Sequence, residues 1–380
     1  MRRSVVSKTL ISVAFLPVVA GAQPWLTQEG GQWVRTFHDI ALAKPRLRIN
    51  AHGPVTLEGG VSTGFEYTVK VAVRARTREQ ARIMLEKTAL RTETQGDWFV
   101  LTVPERDSAT VTIRAPHLRQ AVVSSSDGAV EASGIDGALT VDTGADQVRV
   151  DRIHGDCTLG TGGGDIHAGT VDGFLHCITG AGAIIAKAVR GEAVLRTNGG
   201  DITALSVEGP ARAETGGGTV HLGTIHGAVT VVNGGGPIVV DSASGVVTTR
   251  DMAGPVTVRE AAGIRCDSAN GGITLGRIDG PMRVATAMGS IVANLEGSKL
   301  GDSYLATANG DITVLIPSNV GVRINAENRL ADSMRRIVSD FREIQPHLRG
   351  MRLEAEGRVN GGGPLLQISA SSGTIFLKRQ

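Results

Sequence analysis

Residues 164–181, GDIHAGTVDGFLHCITGA, 182–199, GAIIAKAVRGEAVLRTNG, and 200–217, GDITALSVEGPARAETGG, are three consecutive versions of one 18-residue pattern. Each opens on Gly, places Ile two positions later, alternates apolar and polar residues, turns at a second Gly and ends near Thr or Gly. Working outward from this stretch, the second glycine recurs at Gly137, Gly155, Gly173, Gly191, Gly209, Gly227, Gly245 and Gly263. A β-branched anchor keeps the same step at Val130, Val148, Ile166, Ile184, Ile202, Val220, Ile238 and Val256. A period carried by two unrelated residue types belongs to a structure rather than to composition.

Within one period, Ile166 and Ala168 alternate with His167, Val171 follows a bend, and Leu175, Cys177 and Thr179 alternate with His176 and Ile178. Period-two alternation predicts short strands, here in three pieces per turn. A glycine two places before the anchor recurs at 128, 164, 182, 200, 218, 236 and 254, with Asp146 as the substitute, as expected for turns that need positive φ. Thr143, Thr161, Thr179, Thr197 and Thr215 complete the register, facing inward or capping a corner. One such turn cannot bury its own apolar face, so its strands must pair with the turns above and below. The expectation is an all-β, single-stranded parallel β-helix or β-solenoid with 18-residue rungs. After Val256 the anchors slip to Ile273, Ile291 and Ile312, which indicates loop insertions within the stack. At ~4.8 Å per rung the rod is about 50 Å long.

Composition agrees: 51 glycines in 380 residues, 41% hydrophobic residues and 3% aromatics suit tight turns around a narrow aliphatic interior. A net charge of +2 gives no electrostatic case for nucleic acid. Residues 1–22 read as a signal peptide: Arg2, Arg3 and Lys8, an apolar run, then Ala20-Gly21-Ala22. No later segment is long and apolar enough to cross a membrane. Residues 23–120 read as a β-rich capping region with one helix over Thr77–Leu90, where Thr77 and Gln80 form a capping-box pair and Ala81, Met84, Leu85 and Ala89 one apolar face. Residues 121–325 are the solenoid repeats. A helical insertion is expected over 326–350, from Met334, Ile337, Val338, Phe341 and Ile344 with Pro346 as its stop, lying on the flank of the stack. Residues 351–380 read as closing rungs.

An export signal, a strand-helix-strand module, tandem turns (Gly164-Asp165-Ile166, Gly200-Asp201-Ile202, Gly310-Asp311-Ile312) and a closing Asn360-Gly361-Gly362-Gly363-Pro364 together resemble the bacterial "putative adhesin" family of β-strand repeat proteins. The resemblance covers nearly all of the chain after residue 22. It implies this fold and an envelope location, periplasmic, surface or secreted, and carries over no catalytic residues.

Few residues form a pattern with catalytic or ligand-binding chemistry. Gly60-Val61-Ser62-Thr63-Gly64 satisfies G-x-S-x-G, but a strand pattern follows it where a nucleophile elbow needs a helix. Triple-glycine turns such as Gly162-Gly163-Gly164-Asp165 are similar to calcium-binding rolls, yet carboxylates coincide only on alternate rungs. Cys157 and Cys177 fall on inward columns, with no CxxC or Cys/His ligand spacing. No catalytic, cofactor or metal residues are assigned. One outward column is rich: Asp136, His154, Asp172, Arg190, Glu208 and His226. It reads as a surface ion ladder, and alternatively as metal ligands or acid/base groups on a glycan-cleaving rod. Tyr and Trp platforms for sugars are absent from the repeats as read. The sequence therefore points to an exported, non-enzymatic rod that contacts an envelope polymer or protein, with a polysaccharide-active lyase or hydrolase as the alternative.

Overall fold

The computed structural model describes residues 26–88, 90–104, 109–296, 299–329 and 336–380. The expected signal peptide lies outside these. Burial explains the anchor period directly: Val130, Val148, Ile166, Ile184, Ile202, Val220, Ile238 and Val256 are fully buried and stack in register through parallel ladders. The ladder continues through Ile273, Ile291 and Ile312 to Ile375 and Ile337. The protein is an all-β parallel solenoid of about 11 turns with rungs of ~18 residues, and it has one helix among the described residues.

Most repeats hold two strands where three pieces were expected, and the rungs of Ile238–Ala253 and Val256–Asn270 are one continuous strand each. In one two-stranded rung the strands are Ile166–Val171 and Leu175–Thr179. The first strand buries Ile166, Ala168 and Val171, so two outward residues, Gly169 and Thr170, separate its last two inward ones. This kink lets one strand follow the curve of the coil without a turn. Two rungs at the start of the stack place the kink residue at positive φ, Gly134 at 68° and Arg152 at 53°.

The repeated glycines also have a different cause from the one expected. At most of the corner positions φ is not positive. Instead, a Cβ at Gly182 would lie 2.0 Å from the Gly164 carbonyl oxygen, and one at Gly200 2.0 Å from that of Gly182. At the second corner, a Cβ at Gly191 would stand 2.5 Å from the Gly173 oxygen. Corner backbones of successive rungs touch, and only a residue without a side chain fits between them.

The threonine column fastens the same corners. Thr161, Thr179, Thr197 and Thr215 are buried, and each Oγ1 donates to a corner carbonyl of the preceding rung, at 2.9, 2.8, 3.0 and 2.8 Å. Each hydroxyl also accepts from the glycine amide three residues on in its own corner, as Gly182 N to Thr179 Oγ1 at 3.3 Å. Asn233 continues this with Nδ2 on the oxygens of Gly218 and Gly236. The next member is Asp251, 5% exposed, with no hydrogen-bond partner for either carboxylate oxygen, followed by Ser268, buried and also unpartnered. Burial pushes the Asp251 carboxyl above its ordinary 3.8; the amides of Ala253 and Met252 lie near enough to offset part of that shift but outside hydrogen-bond geometry.

At both ends, rung order departs from chain order. The rung of residues 46–58 lies between those of 98–114 and 120–135, all parallel. Antiparallel strands Phe65–Val73 and Arg91–Gln95 then pair with the outer edges of Ala109–Arg114 and Trp98–Thr102. Gln32–Ala41 adds to Phe65–Val73. The helix spans Arg78–Glu86, shorter than expected. Thr77 Oγ1 accepts from Gln80 N at 3.2 Å, while the Gln80 side chain takes the Arg76 amide. Ala81 and Leu85 are buried, Met84 is exposed, and Ala89 lies outside the described residues.

At the far end, the helix expected over 326–350 is replaced, in its described part, by a strand. Ile337–Ser339 pairs in parallel with Ile375–Arg379, and Met334 falls outside the described residues. The β-branched Ile337 and Val338 fit a pleated ladder that would otherwise end unpaired, and a turn after them still buries Phe341 and Ile344. Of the expected closing rungs, Leu365–Ser372 and Ile375–Arg379 form one, but it is not outermost. It sits between the rung of 303–316 and the strands Val322–Asn328 and Ile337–Ser339. Arg352–Val359 is not a rung strand and runs antiparallel to Val322–Asn328.

Two stability predictions follow from the corners. Gly200→Ala should lower stability by about 1–3 kcal/mol or more through backbone overpacking, while Gly199→Ala, with open space at its Cβ, should leave the thermal melt nearly unchanged. Asp251→Thr restores the column residue and should raise stability at neutral pH by about 1–3 kcal/mol by removing an unsatisfied buried group. Because the folded state holds the Asp251 proton at a pH where the unfolded chain has lost it, wild-type stability falls as pH rises above 3.8 through the raised folded value. The gap between the two melting temperatures should therefore widen from about pH 4 towards neutrality; a constant gap would contradict the assignment.

Candidate functional site

The outward column of Asp136, His154, Asp172, Arg190, Glu208 and His226 lies where the first strand of each rung gives way to a corner. Backbone bonds hold it in file: His154 N donates to Ile135 O, Asp172 N to Ile153 O, Arg190 N to Val171 O, Glu208 N to Val189 O and His226 N to Val207 O, all at 2.8–2.9 Å. The side chains form three separate groups. His154 Nδ1 lies 2.8 Å from Asp172 Oδ2, and Arg190 stands 3.1 Å from Asp172 Oδ1. Glu208 Oε2 lies 2.5 Å from His226 Nδ1. Asp136 is not joined to His154; it pairs with His117, a residue that the 18-residue step does not reach. Such half-exposed pairs contribute on the order of a few tenths of a kcal/mol each. Asp172 and Glu208 are turned along the file towards their neighbours while Asp136 turns to His117, and the groups do not converge on a point. Among the described residues, no group of three or more His, Cys, Asp or Glu is arranged to hold a metal ion.

The carboxylates of the Gly-Asp-Ile turns have structural partners. Asp165 Oδ1 accepts from Ala183 N at 2.8 Å, Asp201 Oδ1 from Thr219 N at 2.6 Å and Asp311 Oδ1 from Thr374 N at 2.7 Å. Each one holds the amide just before the next rung's anchor. Ser62, within G-x-S-x-G, sits in the turn between strands Val55–Glu58 and Phe65–Val73 and donates to Glu66 Oε1 at 3.1 Å. With a strand on each side, it lacks the strand-to-helix turn of a nucleophile elbow.

The three cysteines are free and buried. Burial pushes the Cys157 thiol up to about 12 and the Cys266 thiol to about 11; burial and then the neighbouring Cys157 raise Cys177 well above the usual range. A thiol held neutral and away from solvent is neither nucleophile nor ligand.

One feature of the outer face escaped the sequence reading. Tyr304 stands on solenoid strand Ser303–Asn309, in register with Arg283 of the preceding rung. The stretch between Ile291 and Ile312 exceeds one period, so the 18-residue step assigns Tyr304 to no column. A tyrosine is therefore present on the repeats, contrary to the expectation of no Tyr or Trp there.

No family model matches this chain, and no curated sequence does. Among solved structures it is similar to a putative cell adhesion protein from Clostridium sporogenes, at 8% identity over 91% of this chain and 100% of that one, with a TM-score of 0.18. It is also similar to a putative adhesin from Bacteroides fragilis, at 13% identity over 74% and 95% with a TM-score of 0.21. A third likeness is to a putative lipid binding protein from Parabacteroides distasonis, at 11% identity over 91% and 96% with a TM-score of 0.23. Scores this low carry no argument about mechanism. The fold is established by the chain's own parallel ladders, which make it a β-solenoid.

Proposed function

We propose that this chain is an exported, non-enzymatic, adhesin-like rod whose long faces bind a polymer or protein of the bacterial envelope. The observation that carries this reading is the disposition of its polar groups. Carboxylates, imidazoles and guanidinium groups lie along flat strand faces and edges and pair between rungs, while the thiols are buried. A catalytic centre needs acid and base groups aimed at one reacting atom; an extended file of side chains at a regular spacing suits the recognition of an extended partner. Export rests on the signal pattern of residues 1–22, and within the described residues no helix is long and apolar enough to cross a membrane.

Co-sedimentation of the purified chain with isolated bacterial envelopes, before and after protease treatment or polysaccharide stripping, tests the reading. Binding that survives one treatment and not the other identifies the partner class. Absence of binding at every salt concentration would overturn the adhesin-like role. The enzymatic alternative makes its own demand: Asp136→Asn with Asp172→Asn should abolish turnover of an acidic glycan, and wild-type turnover that disappears in this way would replace the binding reading.

A further inference from the structure

Along the repeats, charged side chains on neighbouring rungs meet the opposite sign: Arg190 with Asp172, Arg196 with Glu214, Arg259 with Asp241, and Arg277 with Glu260. Like charges directly opposite in a ladder are destabilising. The second-strand face breaks this pattern at one place. Arg265 and Arg283 are exposed and directly opposite each other on adjacent parallel strands, and neither has an ion-pair partner among the described residues. No ion pair joins either guanidinium to the nearby carboxylates of Asp267, on the same face as Arg265, or Asp302, which lines the same groove and takes the Leu365 amide on Oδ1 at 2.7 Å.

The column containing this pair runs along the rod in register as Thr248, Arg265, Arg283, Tyr304 and Gln367. The Arg283 guanidinium lies over the Tyr304 ring, 5.9 Å from its centroid, so the phenol ring borders the space its donor fork can occupy. Beside the column is a groove of about 430 Å³ lined in part by Val246 and Pro281. A guest lying along the column at ~4.8 Å per rung meets a hydroxyl, two cationic forks, a phenol and an amide in turn.

We propose that Arg265 and Arg283 bind the carboxylates of a linear acidic polysaccharide running along the rod, with Tyr304 as a positioning residue for Arg283. Two forks side by side match planar carboxylates. The flanking Thr248, Tyr304 and Gln367 suit sugar hydroxyls, and Val246 with Pro281 offers an apolar floor to a sugar ring. This deepens the adhesin-like reading by naming the chemistry of one partner.

The test is calorimetric titration of the full chain at low salt, free of calcium, with alginate oligomers, with neutral dextran and with poly-glutamate. Alginate should bind saturably, and dextran should not. Arg283→Gln should weaken alginate binding at least roughly tenfold, the scale of one charge-assisted hydrogen bond, and Tyr304→Leu should weaken it less. Arg265→Glu separates binding from folding: it places opposite charges side by side, so its melting temperature should hold or rise while alginate binding is lost. Poly-glutamate binding as tightly as alginate, alginate binding unchanged in Arg265→Glu, or no saturable alginate binding would each overturn the proposal. If envelope co-sedimentation succeeds while alginate fails, the rod binds by another surface and only this site assignment falls.

Discussion

Contact between corner backbones sets the geometry of the rest of the molecule. Where a Cβ at Gly182 or Gly200 would lie 2.0 Å from a carbonyl oxygen, rungs cannot be both stacked and substituted. Close approach brings each corner within reach of the threonine hydroxyls, which tie it to the rung before and to its own turn. Held at this spacing, the strands keep one register, and inward columns such as Val130 to Val256 are fully buried. Outward columns then fall into files, which is why His154, Asp172 and Arg190 can pair across rungs although they are far apart in sequence.

That chain of causes explains what could be read in the sequence. A column repeats the same environment, so buried anchors had to be β-branched and corner positions had to be glycine, and both periods were plain. The cause of the glycines was less accessible, because close approach and positive φ select the same residue. Gly128, at φ 111°, meets the second condition, whereas Gly182 and Gly200 meet only the first. Thr179 and its relatives were visible as a column, but their carbonyl partners lie on another rung and leave no local trace.

Where the period breaks, so does legibility. Ile337, Phe341 and Ile344 have helical spacing, yet a strand followed by a turn buries all three, and the ladder edge of Ile375–Arg379 decides between the two. Tyr304 falls off the 18-residue step because an inserted loop lengthens the turn from Ile291 to Ile312 to 21 residues, although its ladder register with Arg283 is kept. His117 joins Asp136 from a segment that precedes the regular repeats. In each case the deciding contact comes from a rung that sequence distance alone does not identify. The ion ladder was therefore readable as a column, while its division into three groups was not.

The interleaved closing rung has a mechanical meaning. In a simple coil, tension on the last strand peels one ladder at a time, and each step exposes the next. Here Ile375–Arg379 is bonded on one side to Ile312–Ile316 and on the other to Ile337–Ser339. Drawing it out breaks two ladders at once, and its partner Leu365–Ser372 is likewise held on both sides. A force applied to this strand meets a ladder on each side in place of a free edge, so the stack resists unravelling from it.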